Sequence, residues 1–366
     1  MNFDIQLRFR PSEAFIGILA ELNDQFFDWT DGSYDWANQT VDFLHASAPL
    51  PRFDESVFKT PLSRRAINDL LQVAIALLAG NYPLVRDYLK NLRFAFVIGY
   101  PRSGGSYLVK ELLRTVGFDH TRVSEELAHD GFPDLRETWY DWAGERPYFY
   151  LQEAIFQTAE FLVIANLYYR VKSGQRAQGA RLAPKKMHKM VNWAGSFKML
   201  LGHGQADYLV TVRHPLPTAI SVAEKSGGFP ADGRFPALAP RSAIERWIMT
   251  DLMHLGFTMG ASAAMDYFEA VFLSWSLFHT SMATSGLFLG DRDEIRLVAY
   301  GDNHHEPVVR DYRERYGDPQ LAPEPFMVHD KAREDRRWIE RGDASVGAVT
   351  QTWSNLGLRF PELSLQ

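Results

Sequence analysis

Apolar residues recur at helical spacing through the first quarter of the chain and then gather into short unbroken runs. Pro11-Ser12-Glu13 opens a stretch whose Phe15, Ile16, Leu19 and Leu22 fall on one face, which predicts an amphipathic helix through Leu22. The same reading predicts helices over 34–46 and 63–80, and over 84–92 after the break at Asn81-Tyr82-Pro83. At Phe94 the pattern changes. Phe94-Ala95-Phe96-Val97-Ile98 is a continuous apolar run, as in a strand buried on both faces, and 107–116 behind it reads as a helix. The pairing recurs at 208–212 before a helix near 218–225, and at 295–300 before a helix near 307–316. Strands alternating with helices predict an α/β fold with a central parallel β-sheet flanked by helices. Residues 1–91 form a helical N-terminal extension in this reading, and 92–366 the main domain. Ligands of such sheets bind beyond the carboxyl ends of the strands, so the turns after the three strands are where chemistry is expected.

Composition narrows the functional classes. The chain has 366 residues and no cysteine, which excludes a disulfide scaffold, a Cys zinc site, an iron–sulfur cluster and a thiol nucleophile. With 39 basic and 45 acidic residues the formal net charge is −6, against a general nucleic-acid binder but compatible with a local basic pocket. The most apolar run, 70–79, is about half the ~20 residues a membrane span needs. No basic segment followed by an apolar stretch opens the chain, so a cytoplasmic protein without membrane insertion is the expectation. The extension is expected to pack on the main domain, with an acceptor pocket or a homodimer contact as alternatives. The Gly- and Pro-rich stretch 226–240 reads as an irregular loop, either a binding loop or a passive excursion.

The first turn carries the strongest signal. In Gly99-Tyr100-Pro101-Arg102-Ser103-Gly104-Gly105-Ser106, Gly99, Gly104 and Ser106 keep the spacing of the Walker pattern G-x-x-x-x-G-K-[ST], while Gly105 stands at the lysine position. Backbone N–H groups and a helix N-terminus still suit a phosphate, but the group that grips the β/γ-phosphates of ATP is gone. A cation stands three residues earlier, as Arg102.

Tyr100-Pro101-Arg102-Ser103-Gly104-Gly105-Ser106-Tyr107 resembles the 5′-phosphosulfate loop of the cytosolic-type sulfotransferases, usually P-K-S-G-T-T-W. The resemblance covers about 94–350 and implies a P-loop NTPase-like sulfotransferase fold, with 3′-phosphoadenosine-5′-phosphosulfate (PAPS) as donor, no metal, and transfer to a small-molecule hydroxyl or amine. Arg213-His214-Pro215 with Ser221 resembles the family's R-N-P-x-D-x-x-x-S element, which binds the 3′-phosphate; His214 and Pro217 depart from its Asn and Asp. Lys186-Met187-His188 resembles the K-T-H element and falls between the other two, as the family order requires. The resemblance therefore implies His188 as general base, Arg102 in the place of the catalytic lysine, and Lys186 near the sulfuryl group. It implies Ser103, Gly104, Gly105, Ser106 and Tyr107 on the 5′-phosphate, and Arg213 with Ser221 on the 3′-phosphate. Tyr300-Gly301-Asp302 followed by Pro307 is similar to a family segment ahead of a helix. Arg341-Gly342, with Gly347, partly resembles the loop that closes over the 3′-phosphate but lacks its second cation.

Some readings stay open. Glu125 or Glu126 competes with His188 as the base. The aromatic stretch Trp139, Tyr140, Trp142, Tyr148, Phe149 and Tyr150 reads either as an acceptor wall or as core packing. The run 331–337 reads as a solvated helix face. His304-His305-Glu306, taken as an extended loop, would point its side chains apart and form no metal site. Of other functional classes, a P-loop kinase lacking the lysine would need a strand-end carboxylate where Arg213 stands, and a non-catalytic nucleotide-binding protein would not need His188 and Arg102 together.

Overall fold

The computed structural model describes residues 11–25, 60–116, 155–167, 181–187, 191, 194–317, 322–328 and 336–365. Strands β1 (Leu92–Gly99), β2 (Arg181–Lys186), β3 (Ala206–Val212) and β4 (Ile295–Ala299) form one sheet in the order β2-β1-β3-β4. All three pairings are parallel, with Phe96 opposite Tyr208 and Val210 opposite Leu297. The protein is thus α/β with an all-parallel sheet, and helices flank it. The central strands β1 and β3 are almost wholly buried, as their unbroken apolar runs require. The edge strand β4 is only half-buried.

Strand β2 has no precursor in the hydrophobic pattern. Its sequence Arg-Leu-Ala-Pro-Lys-Lys neither alternates nor forms an apolar run, and Pro184 lies inside it, opposite Ala95. Proline is tolerated because, among the described residues, this strand is an edge with a neighbour on one side only.

Among the described residues three helices precede the sheet: α1 (Glu13–Gln25), α2 (Pro61–Leu78) and α3 (Tyr82–Leu89). Thr60 and Asn81 cap the latter two by accepting the Ser63 and Leu84 N–H groups, and a proline stands in the first turn of each. Next come α4 (Gly105–Thr115), α5 (155–167), α6 (Ala194–Leu201) and α7 (Pro215–Lys225). Phe94 and Phe96 of β1 turn their rings to Phe161 of α5 and Phe197 of α6, with centroids 6.1 and 5.7 Å apart. Then follow α8 (Ala243–His254), α9 (Met259–Ala264), α10 (Tyr267–Thr284), α11 (Asp302–Tyr316) and α12 (Arg336–Asn355). Helix α7 begins three residues before the pattern predicts, because Pro215 takes the first helical position and His214 Nδ1 accepts the Leu216 N–H at 3.2 Å. Helix α11 begins five residues early, at Asp302, and carries Pro307 within it.

One hydrophobic cluster runs from Phe15, Leu19 and Leu22 through the sheet to Trp353 and Phe360. The early helices share it and are tied down by polar contacts. Ser12 N–H donates to Glu160 Oε1 at 2.7 Å, and Arg86 donates to the carbonyls of Met199 and Leu200, each at 2.8 Å. The predicted helix over 34–46 lies outside the described residues, whereas 226–240 has no helix and only the isolated bridge of Arg234 to Asp266. Among the described residues, no helix is long and apolar enough to cross a membrane.

Candidate functional site

From β1 the chain passes to β2 on one side of it and then to β3 on the other, so the sheet's switch point lies between β1 and β3. A crevice opens there, beyond the carboxyl ends of the two strands. It is a cleft of about 650 Å³ floored by the 99–107 turn and walled by Lys186, Arg213, Ser221 and residues 324–327.

The floor is a strand–loop–helix unit. Gly99 is required by close approach: a Cβ there would lie 1.9 Å from Thr211 Oγ1. Ser103 fills that corner, its hydroxyl 2.7 Å from both the Tyr100 carbonyl and Thr211 Oγ1. Its side chain therefore braces the loop. Arg102 has φ of 72°, the one non-glycine residue in the left-handed region among those described. Such a conformation costs an L-residue roughly 1–2 kcal/mol, and here it places the Arg102 carbonyl under Arg213, whose Nη1 donates to it at 3.3 Å. Gly104 follows at φ of 91°, and α4 starts at Gly105. The first N–H groups of that helix have no intrahelical acceptor and carry its positive end.

Four cations meet around this turn, besides Lys110, which is paired with Glu324. Lys186, the last residue of β2, donates from Nζ to Ser106 Oγ at 3.0 Å. Arg102 Nε donates to Ser221 Oγ at 2.9 Å. Arg213 is only 2% exposed and lies over the Tyr300 ring, 3.8 Å from its centroid. Burial, together with the Arg102 charge, lowers its pKa to about 10, which still leaves it charged at neutral pH. Lys225, one turn beyond Ser221 on α7, lines the same cleft. Among the described residues the one acidic residue in the lining is Glu324, and Lys110 and Arg114 hold its carboxylate at 2.9 and 3.0 Å. Concentrated positive charge with backbone donors is a site for an anion, and its planar and point-charge donors suit phosphate or sulfate oxygens.

His305 closes the back of the turn. It is fully buried, its Nδ1 lies 3.0 Å from the Gly301 carbonyl, and its ring stacks on Phe326 at 4.1 Å. A Cβ on Gly104 would meet His305 Nε2 at 2.3 Å, so glycine at 104 is fixed by both its φ and its neighbour. Burial pushes the His305 pKa down to about 4, which keeps the ring neutral behind a cationic site. His304, His305 and Glu306 sit on α11, not in an extended loop as supposed from sequence. Among the described residues no group of three His, Cys, Asp or Glu could hold a metal ion.

The structure thus brings together Arg102, Ser103, Gly104, Gly105, Ser106, Tyr107, Lys186, Arg213 and Ser221 around one cleft. Tyr107 directs its hydroxyl to the Glu324 carbonyl at 2.6 Å. Arg341 and Gly342 lie elsewhere. Both belong to α12, where Arg341 contacts Glu269 at 3.5 Å and lies over the Trp338 ring. Gly342 packs on His214, which a Cβ would approach to 2.8 Å, and His214 Nε2 lies 3.0 Å from Asp343 Oδ1. These contacts knit α12 to the start of α7. His188, Glu125, Glu126 and the aromatic stretch 139–150 lie outside the described residues. Lys225, Trp247 and Phe326, all lining the cleft, were missed from sequence. The i,i+4 spacing of Ser221 and Lys225 was the one available signal for them.

Compared with protein-family models, curated proteins and solved structures, the chain matches none.

Proposed function

We propose that the protein is a sulfotransferase that uses PAPS as donor, built on a P-loop-like variant of the α/β fold, and acts on a small-molecule hydroxyl or amine. The observation that carries the reading is the convergence of two motif turns from adjacent strand ends on one cationic cleft: Arg102 is bonded to Ser221 at 2.9 Å, and Arg213 is buried beside them. The donor set fits a ligand with two separated phosphate groups. Gly104, Gly105 and Ser106 at the start of α4, with Lys186, would take the 5′ group, and Arg213 with Ser221 the 3′ group.

In the reaction, a bond from the acceptor oxygen or nitrogen to sulfur forms, the bond from sulfur to the 5′-phosphate oxygen breaks, and the acceptor proton passes to a base. Negative charge grows on the leaving phosphate oxygen. Fixed cations aimed at that oxygen lower the barrier more in a water-poor cleft than they would in solution. Arg102 and Lys186 would supply that charge. Arg102 offers a planar set of N–H donors and no acceptor, so its part is electrostatic. His188, two residues past Lys186, is the proposed base, since imidazole is the side chain most often used as a general base.

The test is calorimetric titration with 3′-phosphoadenosine-5′-phosphate without metal, beside ATP with magnesium, using wild type and Arg213→Ala. Metal-free binding that the substitution weakens is the expected result. Preference for ATP with magnesium would overturn the reading in favour of a kinase-like phosphotransferase. With binding in hand, His188→Ala should abolish transfer and spare nucleotide affinity; lost affinity with retained transfer would remove His188 from the base role.

A further inference from the structure

Ser221 and Lys225 stand four residues apart on α7, so they share one face of the helix, and both line the cleft. Arg102 and Arg213 lie at the Ser221 end of that face. Lys225 is exposed and in no ion pair among the described residues. Among the described residues the only carboxylate of the lining, Glu324, is held by Lys110 and Arg114. The cation that the Arg341-Gly342 motif was expected to bring here is engaged on α12 with Glu269 and Trp338. The Arg213–Ser221 end of the cleft therefore has two guanidinium groups, a hydroxyl and one ammonium.

We infer that Lys225 supplies the last charge on the second phosphate of the ligand and so makes the cleft select a nucleoside bisphosphate over the corresponding 5′-monophosphate. The inference rests on the donor reading above and adds to it the residue that discriminates. A lysine in the last turn of a helix is also favourable for the helix dipole alone. That role would leave ligand affinity unchanged on substitution.

The experiment titrates wild type, Lys225→Met and Lys225→Arg with 3′-phosphoadenosine-5′-phosphate and with adenosine 5′-monophosphate, metal-free, at two salt concentrations. A charge-assisted contact to one phosphate predicts that Lys225→Met weakens the bisphosphate about tenfold and the monophosphate less than about twofold. Lys225→Arg should restore most of the difference. The salt dependence of bisphosphate binding should become shallower in Lys225→Met. Equal losses for both ligands, or none for either, would overturn the assignment of Lys225 while leaving the donor reading intact. Failure of the wild type to bind the bisphosphate would overturn the donor reading and this inference with it. Lys225 is exposed, so a thermal melt matching wild type should certify that the variants are folded.

Discussion

Arg102 and Ser221, 119 positions apart in sequence, are joined by a 2.9 Å hydrogen bond from guanidinium Nε to hydroxyl Oγ. The bond links the turn after β1 to the helix after β3 and fixes the Arg102 side chain over the switch point of the sheet. Ser221→Ala removes the acceptor and leaves the fixed charge unanchored. The expected result is bisphosphate binding weakened several-fold, by about 1 kcal/mol, with little change in melting temperature. Titration calorimetry beside a thermal melt checks both.

Arg213 is a case where charge alone will not suffice. Its guanidinium lies 3.8 Å from the Tyr300 centroid and reaches the Arg102 carbonyl, and Trp275 Nε1 bonds its own carbonyl at 3.0 Å. A lysine cannot stack as a planar fork on the ring or serve two acceptors in its geometry. Arg213→Lys should therefore lose nearly as much affinity as Arg213→Ala. Restoration of wild-type affinity by lysine would show that only the charge matters there.

Gly99→Ala should destabilise the protein by about 2 kcal/mol or more, as overpacking in a buried site does. The added methyl would lie 1.9 Å from Thr211 Oγ1, 2.6 Å from Ser103 Oγ and 2.9 Å from the Thr211 carbonyl. Adding Thr211→Ala should recover part of the loss, since the clash with Thr211 Oγ1 is relieved and those with Ser103 Oγ and the Thr211 carbonyl are not. Denaturant melts of the single and double variants test this.

Three buried histidines predict acid sensitivity above the carboxylate range; for His214 burial lowers the pKa while Asp343 opposes it, and for the other two burial dominates. His279 has no hydrogen-bond partner on either ring nitrogen among the described residues, and burial lowers its pKa to about 3. His305 is lowered to about 4 by the same cause. Both would titrate near 6.5 in the unfolded chain, so below that pH the unfolded state binds protons that the folded state refuses. Their stabilising contribution is complete above about pH 6.5 and is lost as pH falls toward 4 and 3. The melting temperature should drop between pH 7 and 5, and His279→Phe should make that dependence shallower, because one of the protons taken up on unfolding is gone. An unchanged slope would reject the assignment.

How much of this was legible in the sequence depended on whether the cause was local. Phe94–Ile98 and Tyr208–Val212 announced themselves because a strand buried on both faces must be apolar throughout. Strand β2 did not: an edge strand can carry Pro184 and two lysines, and only its pairing with β1 makes it a strand. Helices α7 and α11 began earlier than their apolar patterns because His214-Pro215 and Gly301 set the starts, a matter of backbone rather than hydrophobicity. Within the site, the glycine spacing and Arg102 were readable since neighbours in sequence build that turn. Trp247 and Phe326 come from distant segments, and no local pattern marks them. Arg341, a short motif match, sits on α12 beside Glu269 and Trp338 and does not line the cleft.

The shared core of the early helices and the sheet has a consequence for anyone who would transplant the cleft. A chain begun at β1 would expose the apolar faces that Phe15, Leu70 and Leu89 now cover, and Gln205, which donates to the Leu89 carbonyl at 3.0 Å, would lose that acceptor. The helices ahead of β1 and the cationic cleft would thus be inherited together, and swapping one between proteins without the other would trade a folded cleft for an aggregate.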